Sequence, residues 1–431
     1  MENRAIVIGG SIAGLLTAQV LRRWFGEVLI IDRDQLSGPA THRKGTPQSK
    51  HAHGLLARGL KVIEELVPGY SAELIACGAV SADLLGDVLW YNDGHLVRRG
   101  PSDLDGLMAS RPLIESTLRD LVTVQPEVKV LDGVAVTGLL ARGDRLTGAR
   151  TEDGEYAASL VVDASGRSNR GEAWLAELGY AAAPEDVVKA GLMYSTRQYR
   201  HDPEAQDFTG VISGHYPANP VGCGVGANEN NTWLVTLVGF TDDPPPALPG
   251  AFEDYAARLD GPELHRMVSK ADPLGDPVRF RIGPSVRRRY ENCERLPEGF
   301  VATGDSLCCF NPAYGQGMTI AALTAQWLGE CLEKSSDDLT KRYFRGAAKL
   351  VGPAWELSTS ADLRFPRVEG KRSTMQKVLN GYISYLHRAA EKDPVVGLQF
   401  LRVANLLAGP QSLLAPKIVW RVVRGQFRPA G

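Results

Sequence analysis

The residues of this chain best suited to bind a reactive group stand near its start. An apolar run, Ala5-Ile6-Val7-Ile8, leads into Gly9, Gly10, Ser11, Ile12, Ala13 and Gly14, and a helical pattern follows at Leu15, Leu16, Ala18, Val20 and Leu21. A turn of this kind needs small residues for a tight bend, for backbone approach to a pyrophosphate, and for close helix–strand contact. Gly9 and Gly14 hold the first and third positions. Ser11, after Gly10, holds the second, and its hydroxyl can itself donate to a phosphate. The helix beyond offers free N–H groups and a positive dipole end. A second strand, Val28-Leu29-Ile30-Ile31, ends at Asp32 beside Arg33. A carboxylate there can accept from ribose hydroxyls, so the unit predicts a dinucleotide site.

A second match, Gly222-Cys223-Gly224-Val225-Gly226-Ala227, runs into Asn228-Glu229-Asn230-Asn231, which cannot open a helix. It is expected to be a Gly-rich strand edge. With one dinucleotide fold, any NADH or NADPH donor binds transiently, or a separate flavin reductase supplies the electrons.

The case for FAD over NAD comes from the far end. Phe300-Val301-Ala302-Thr303 is a strand that delivers Gly304-Asp305, and Pro312-Ala313-Tyr314-Gly315-Gln316-Gly317 precedes a helix from about Met318 to Leu332. Asp305 at a strand end can accept from a polyol, which suits a ribityl chain. Glycines around Gln316 let N–H groups at a helix N-terminus approach a flavin ring and favour its anionic reduced form. Taken alone, the same loop reads equally well as a plain helix start.

Gly9–Gly14, Val161-Val162-Asp163-Ala164-Ser165-Gly166-Arg167 and Gly304-Asp305 resemble the three flavin motifs of the para-hydroxybenzoate-hydroxylase-like monooxygenases. Four further runs resemble the bacterial polyether-type flavin epoxidases: Arg43 to His53, Ser110 to Glu115, Asn311 to Met318, and Ala361-Asp362-Leu363-Arg364-Phe365-Pro366. The resemblance spans nearly the whole chain and implies an FAD-dependent monooxygenase of a large apolar secondary metabolite. Oxygen would pass from O2 through a flavin C4a-hydroperoxide in an epoxidation or hydroxylation. It also implies Arg43, Gly45 and Arg111 beside the cofactor, Val134 near the adenine and Ala164 in the second motif. Asp163 and Arg167 would lie in the part that serves both FAD and NAD(P)H. Ser11 and Asp32 depart from the family's commoner Gly and Glu.

In such an enzyme the hard chemistry belongs to the cofactor, and the protein orients substrate and excludes water. No Ser-His-Asp set, paired carboxylates or metal-ligand spacing is evident, so no catalytic residue and no metal are assigned. His51 and His53 are the titratable candidates, though loop histidines more often hold backbone groups. Tyr194, Phe208, Tyr216, Trp233 and Phe310 are candidate pocket residues, and packing is the simpler reading for each. Rival chemistries on this scaffold are a non-redox cyclase with FAD as a structural element and a flavin-dependent polyisoprenoid reductase. A halogenase is disfavoured because no W-x-W-x-I-P run is found.

These residues need a scaffold, and 431 residues can bury one large or two moderate cores. The expected fold class is α/β. A discontinuous Rossmann-like FAD domain (1–80, 110–186, 293–334) would hold a β-rich substrate domain (81–109 as a hairpin, and 187–292), followed by a helical C-terminal region (335–431). The formal net charge of −2 gives no support for nucleic-acid binding. Six cysteines without a C-x-x-C pair suggest a reduced, cytoplasmic protein. Residues 343–431 carry 14 Lys/Arg against 5 Asp/Glu. This basic tail can touch an acidic partner or an anionic membrane peripherally, but a solvated helical face is the simpler expectation.

Overall fold

The computed structural model describes residues 3–38, 40–370, 372 and 374–426. Five parallel strands form one sheet in the order Phe300–Ala302, Leu160–Asp163, Arg4–Ile8, Glu27–Asp32, Val128–Asp132. Most of their residues are buried, which is why the sequence shows apolar runs there rather than alternation. The chain leaves Arg4–Ile8 toward one side of the sheet and returns later to fill the other. The strand order therefore reverses at Arg4–Ile8, where open α/β sheets place ligands at the carboxyl ends. Gly9, Asp32, Ala164 and Gly304 all follow or end strands at that edge.

A second sheet has seven strands, ordered Val278–Arg281, Leu192–Arg200, Thr232–Phe240, Gly222–Asn228, Gly210–Ser213, Val88–Asn92, His95–Leu96. Residues 88–96 thus reach it as a hairpin from a distant part of the chain. Gly222–Asn228 is a strand as expected, but it lies inside the sheet with neighbours on both sides, not at an edge. Period-two alternation divides the faces. Tyr199, Trp233, Val235 and Leu237 pack outward with Phe252 and Tyr255 of the helix Ala251–Ala256. Tyr194, Thr196, Ile212, Gly224 and Thr236 alternate with them and point inward.

Among the described residues beyond Thr303 the one strand is Cys308–Cys309, paired with Ser285–Arg288, and the other regular elements are helices. The helix Gly317–Lys334 packs on Ile12–Leu21, joining the two ends of the half that carries the parallel sheet. Four helices follow, at Leu339–Asp362, Thr374–Ala390, Pro394–Ala404 and Pro416–Gln426. The last three share a core with Leu85, Val88 and Leu104, so they cover the inner side of the second sheet. Among the described residues no helix is long and apolar enough to cross a membrane.

Candidate functional site

Steric facts explain the glycines of the first turn. Gly9 has φ +108°, and a Cβ there would stand 2.4 Å from the carbonyl oxygen of Ala164. At Gly14 a Cβ would be 1.8 Å from the Gly9 oxygen, so the helix could not close on its strand. Gly10 faces Leu36, and its N–H donates to Asp32 Oδ2 at 2.6 Å. Ile12 is buried, while Ala13 touches the distant Gly304, whose φ is +58° and whose Cβ would lie 2.7 Å from that of Ala13. Asp305 follows, with Oδ1 3.9 Å from a Cβ built on Gly317 and Oδ2 3.6 Å from Arg167 Nε. The fingerprint, the second motif and the far-end loop therefore lie against one another. Asp163 is fully buried below it and accepts from the N–H groups of Ser165 and Gly171 and from the Ser306 hydroxyl.

Beside the fingerprint lies a charge cluster that the sequence reading only half anticipated. Glu115 accepts from Ser11 Oγ (2.5 Å) and from Arg43, and meets Arg111 (3.4 Å) and Arg119 (3.3 Å). Burial alone would raise its carboxyl pKa, but the charges of Arg111 and Arg43 and the Ser11 hydroxyl hold it below the ordinary value. Arg43 also pairs with Asp34 at 3.2 Å, and Asp34 Oδ2 accepts the Gly45 N–H at 2.7 Å. Asp32 is raised by burial, opposed by the N–H groups of Asp34 and Gly10 and by the Arg43 charge. Val134 donates its N–H to the Asp32 carbonyl at 3.0 Å, while Arg33 is exposed. Glu115 and Asp34 were missed as site residues. The available signal was Arg111, Glu115 and Arg119 at successive four-residue steps, which puts all three on one helix face.

The far-end loop is held from an unexpected direction. Gly315 has φ +67°, Pro312 is exposed, and Gln316 and Met318 are buried at the start of the helix. Asp362 Oδ1 accepts from Asn311 Nδ2 at 2.8 Å and from the Tyr314 hydroxyl at 2.9 Å. Oδ2 meets no donor among the described residues, and burial pushes the carboxyl pKa up to about 6. Two residues on, Arg364 turns to Asp93 in a two-pronged ion pair (2.8 and 2.6 Å). The Ala361–Pro366 run thus ties the Asn311–Met318 loop to the second sheet's hairpin.

The loop His51-Ala52-His53 docks on the inner face of that sheet. His51 Nδ1 is 2.7 Å from Thr196 Oγ1, which is 2.7 Å from Thr236 Oγ1, and the latter accepts the Ala52 N–H at 2.8 Å. His53 Nδ1 lies 2.8 Å from the His51 carbonyl oxygen. Burial lowers both imidazoles, His51 to about 4 and His53 to about 3, so each is neutral near pH 7. Tyr194 meets the His51 ring edge-on at 5.7 Å.

The other aromatic candidates separate. Phe208 and Trp233 pack together at 5.9 Å on the outer face of the sheet, where strand alternation turns Trp233. Phe310 is buried, and its carbonyl accepts from Arg167 at 2.8 Å. Tyr216 is half-buried against Gly94 at the rim. The inner face itself is open in places. Trp90, Ile212, Gly224, Gly226 and Leu234 are half-buried among buried neighbours, and a Cβ on Gly224 would meet only Ile212, at 4.0 Å. All six cysteines are free thiols, including adjacent Cys308 and Cys309. No group of three or more potential metal ligands occurs among the described residues.

This geometry suits a dinucleotide with a second, distant polar end. The turn at Gly9, Gly10 and Gly14 carries no side chain, which is what backbone approach to a pyrophosphate requires. At the other end Gln316 Oε1 is buried without a partner among the described residues, which leaves an acceptor for a ring N–H.

The comparisons agree with this frame. No protein-family model matches the chain. Protein Rv3254 of Mycobacterium tuberculosis is 29% identical over 99% of this chain and 94% of its own length. The flavin-dependent brominase Bmp2 superposes with a TM-score of 0.70 at 15% identity, covering 97% of this chain and 98% of its own. The chain has the flavin-monooxygenase fold. Pseudomonas aeruginosa PqsL, solved with 2-aminobenzoylacetate, gives a TM-score of 0.64 at 16% identity over 84% of this chain and 97% of its own.

Proposed function

We propose that this chain is an FAD-dependent monooxygenase that inserts one oxygen atom of O2 into a large apolar secondary metabolite, by epoxidation or hydroxylation. The observation that carries the proposal is the Gly304–Ala13 contact, which brings Asp305, a carboxylate that could accept from a ribityl chain, next to the Gly9–Gly14 turn. The fold shared with a flavin-dependent brominase supports it. The same reading assigns 1–80, 110–186 and 293–334 to the flavin domain, and 81–109 and 187–292 to the substrate domain.

Bound and reduced, FAD would supply the electrons and the site for O2 activation. The N-terminus of Ile12–Leu21 would face the pyrophosphate, with Ser11, Arg43 and Arg111 beside it, and Asp32 would take the ribose hydroxyls. N–H groups from Gly315 to Met318 would favour negative charge on the ring. The inner sheet face, with glycines at 224 and 226 and Tyr194 at its His51 end, would orient an apolar substrate and keep water away. Electrons would come from transient NADH or NADPH, or from a separate flavin reductase.

The test is to purify the protein and measure bound flavin. Its absorbance is then followed with NADH, NADPH or a reductase under O2, with and without polyene and aromatic substrates. A product heavier by one oxygen supports the reading. A product of unchanged composition formed without reductant identifies a cyclase, one gaining two hydrogens a reductase, and one gaining bromine in added bromide a halogenase.

A further inference from the structure

The last helix turns an apolar, positively charged stripe away from the protein. In Pro416–Gln426 the residues Ile418, Val422 and Gly425 are buried, whereas Lys417, Trp420, Val423 and Arg424 are exposed. Positions three and four apart share a helix face, so these four form one strip. Trp420 is 57% exposed and Val423 52%, and the preceding turn adds Leu414 at 48%. Single exposed apolar residues are ordinary, but a tryptophan, a valine and a leucine gathered at one end of a chain are not.

Along the sequence, the charge of this segment has one sign. From Pro394 to Gly431 there is no Asp or Glu, while Arg402, Lys417, Arg421, Arg424 and Arg428 all fall there. Arg402 pairs with Asp103 and Arg421 with Asp393, on the protein side. Lys417 and Arg424 meet no carboxylate among the described residues, and the Arg424 guanidinium lies 5.0 Å over the Trp420 ring. An indole flanked by cations on an amphipathic helix suits the headgroup layer of a bilayer. There the ring sits at the polar–apolar boundary and the cations meet anionic lipid.

We propose that the exposed face of Pro416–Gln426, with Leu414, docks reversibly on an anionic phospholipid bilayer. A soluble acidic partner accounts for Lys417 and Arg424 but not for the tryptophan and valine between them. A second copy of the chain would bring the same cations face to face, which costs energy. The docked surface lies next to the proposed chamber, because Ile418 and Val422 share their core with Val88 and Leu85, and Ile212 packs against the same cluster. Resting on the monooxygenase reading, this arrangement lets an apolar substrate pass from the bilayer to the inner sheet face without crossing water.

The experiment is co-sedimentation of the full chain with vesicles of phosphatidylcholine alone and of phosphatidylcholine mixed with phosphatidylglycerol. Binding is expected only to the mixed vesicles and should weaken with added salt. Lys417→Glu and Arg424→Glu should each reduce partitioning by at least roughly fivefold. Trp420→Ser should reduce it while leaving the melting temperature and flavin content unchanged. Trp420 fluorescence, taken as the difference from Trp420→Phe, should shift to the blue on binding. Three results would overturn the proposal: no binding to mixed vesicles at low salt, equal binding by the variants, or a dimer by analytical ultracentrifugation that Trp420→Ser dissociates. Flavin content reports separately on the monooxygenase reading, since vesicle binding does not require it.

Discussion

A Cβ placed on Gly304 would stand 2.7 Å from the Cβ of Ala13, so residues almost three hundred positions apart share one van der Waals contact. Gly304 also has φ +58°, where any other side chain is strained. Gly304→Ala is therefore expected to cost about 1–3 kcal/mol of stability and to push the Asp305 turn off the first helix. Urea unfolding and flavin content of the purified protein check this. Unchanged stability with full flavin would mean that the turn and the helix start move freely of one another.

Ser11 and Glu115 should respond very differently to mutation. Ser11→Gly removes one hydrogen bond to a carboxylate that keeps three arginines around it, so FAD affinity should fall by no more than about fivefold. Glu115→Ala leaves Arg43, Arg111 and Arg119 crowded without their shared anion. That should destabilise the protein by about 3–5 kcal/mol, as expected when one member of a buried ion-pair network is removed. Titration of apoprotein with FAD, alongside thermal unfolding, separates the two outcomes.

Asp362 should reduce stability at neutral pH. Its folded pKa, about 6, lies above the ordinary 3.8, so the folded state holds its proton more tightly than the unfolded state. The sign follows: stability is full below the unfolded value and is lost as pH rises through the folded one. The loss amounts to roughly 3 kcal/mol for a shift of this size. Asp362→Asn keeps an oxygen for Asn311 and Tyr314 but no charge. Its melting temperature should exceed that of the parent above about pH 6, with the gain shrinking toward about pH 4. A gain independent of pH would show that Asp362 does not titrate in this range.

The glycines of the fingerprint were legible because the contacts that require them, Gly14 with Gly9 and Gly9 with the Ala164 carbonyl, are local or made by backbone. Gly9, Gly14 and Asp32 sit on one strand–helix–strand unit whose spacing is written in the sequence. Glu115 and Asp362 escaped because their partners are distant. Ser11 is 104 positions from Glu115, and Tyr314 is 48 from Asp362, so only the fold reveals that these carboxylates face donors. The face that Trp233 takes was hidden for a related reason. Residue type says that an aromatic is buried, but not on which side of a sheet, and a shift of one position changes the face. The basic tail was visible as a count, yet which cations are spent on Asp103 and Asp393 was not.

His51 and His53 are expected to carry no titration into the pH profile. Both imidazoles are lowered far below neutrality by burial, and their nitrogens are engaged with Thr196 and with backbone. Each is already neutral above about pH 5.5, so replacing either by Ala should leave the shape of kcat/KM between about pH 6 and 8 unchanged. An inflection near pH 6.5 in the parent that either substitution abolishes would assign a proton-transfer role instead.

Gly224 gives the sharpest test of where substrate binds. Its missing side chain faces inward, between Ile212 on one strand and Thr236 on the other, with open space beyond. Gly224→Leu meets nothing closer than Ile212 Cδ1 at 4.0 Å from its Cβ, and its φ is not in the left-handed region. A strand position also tolerates a larger side chain better than it tolerates glycine. The variant should therefore fold with a melting temperature equal to or above the parent's and with normal flavin. Because it fills the middle of the inner face, it should raise KM for a large apolar substrate by about tenfold or more while sparing a smaller one. If both substrates turn over as before, the chamber lies elsewhere, and the half-buried row from Trp90 to Leu234 is a solvated cleft without a role in recognition.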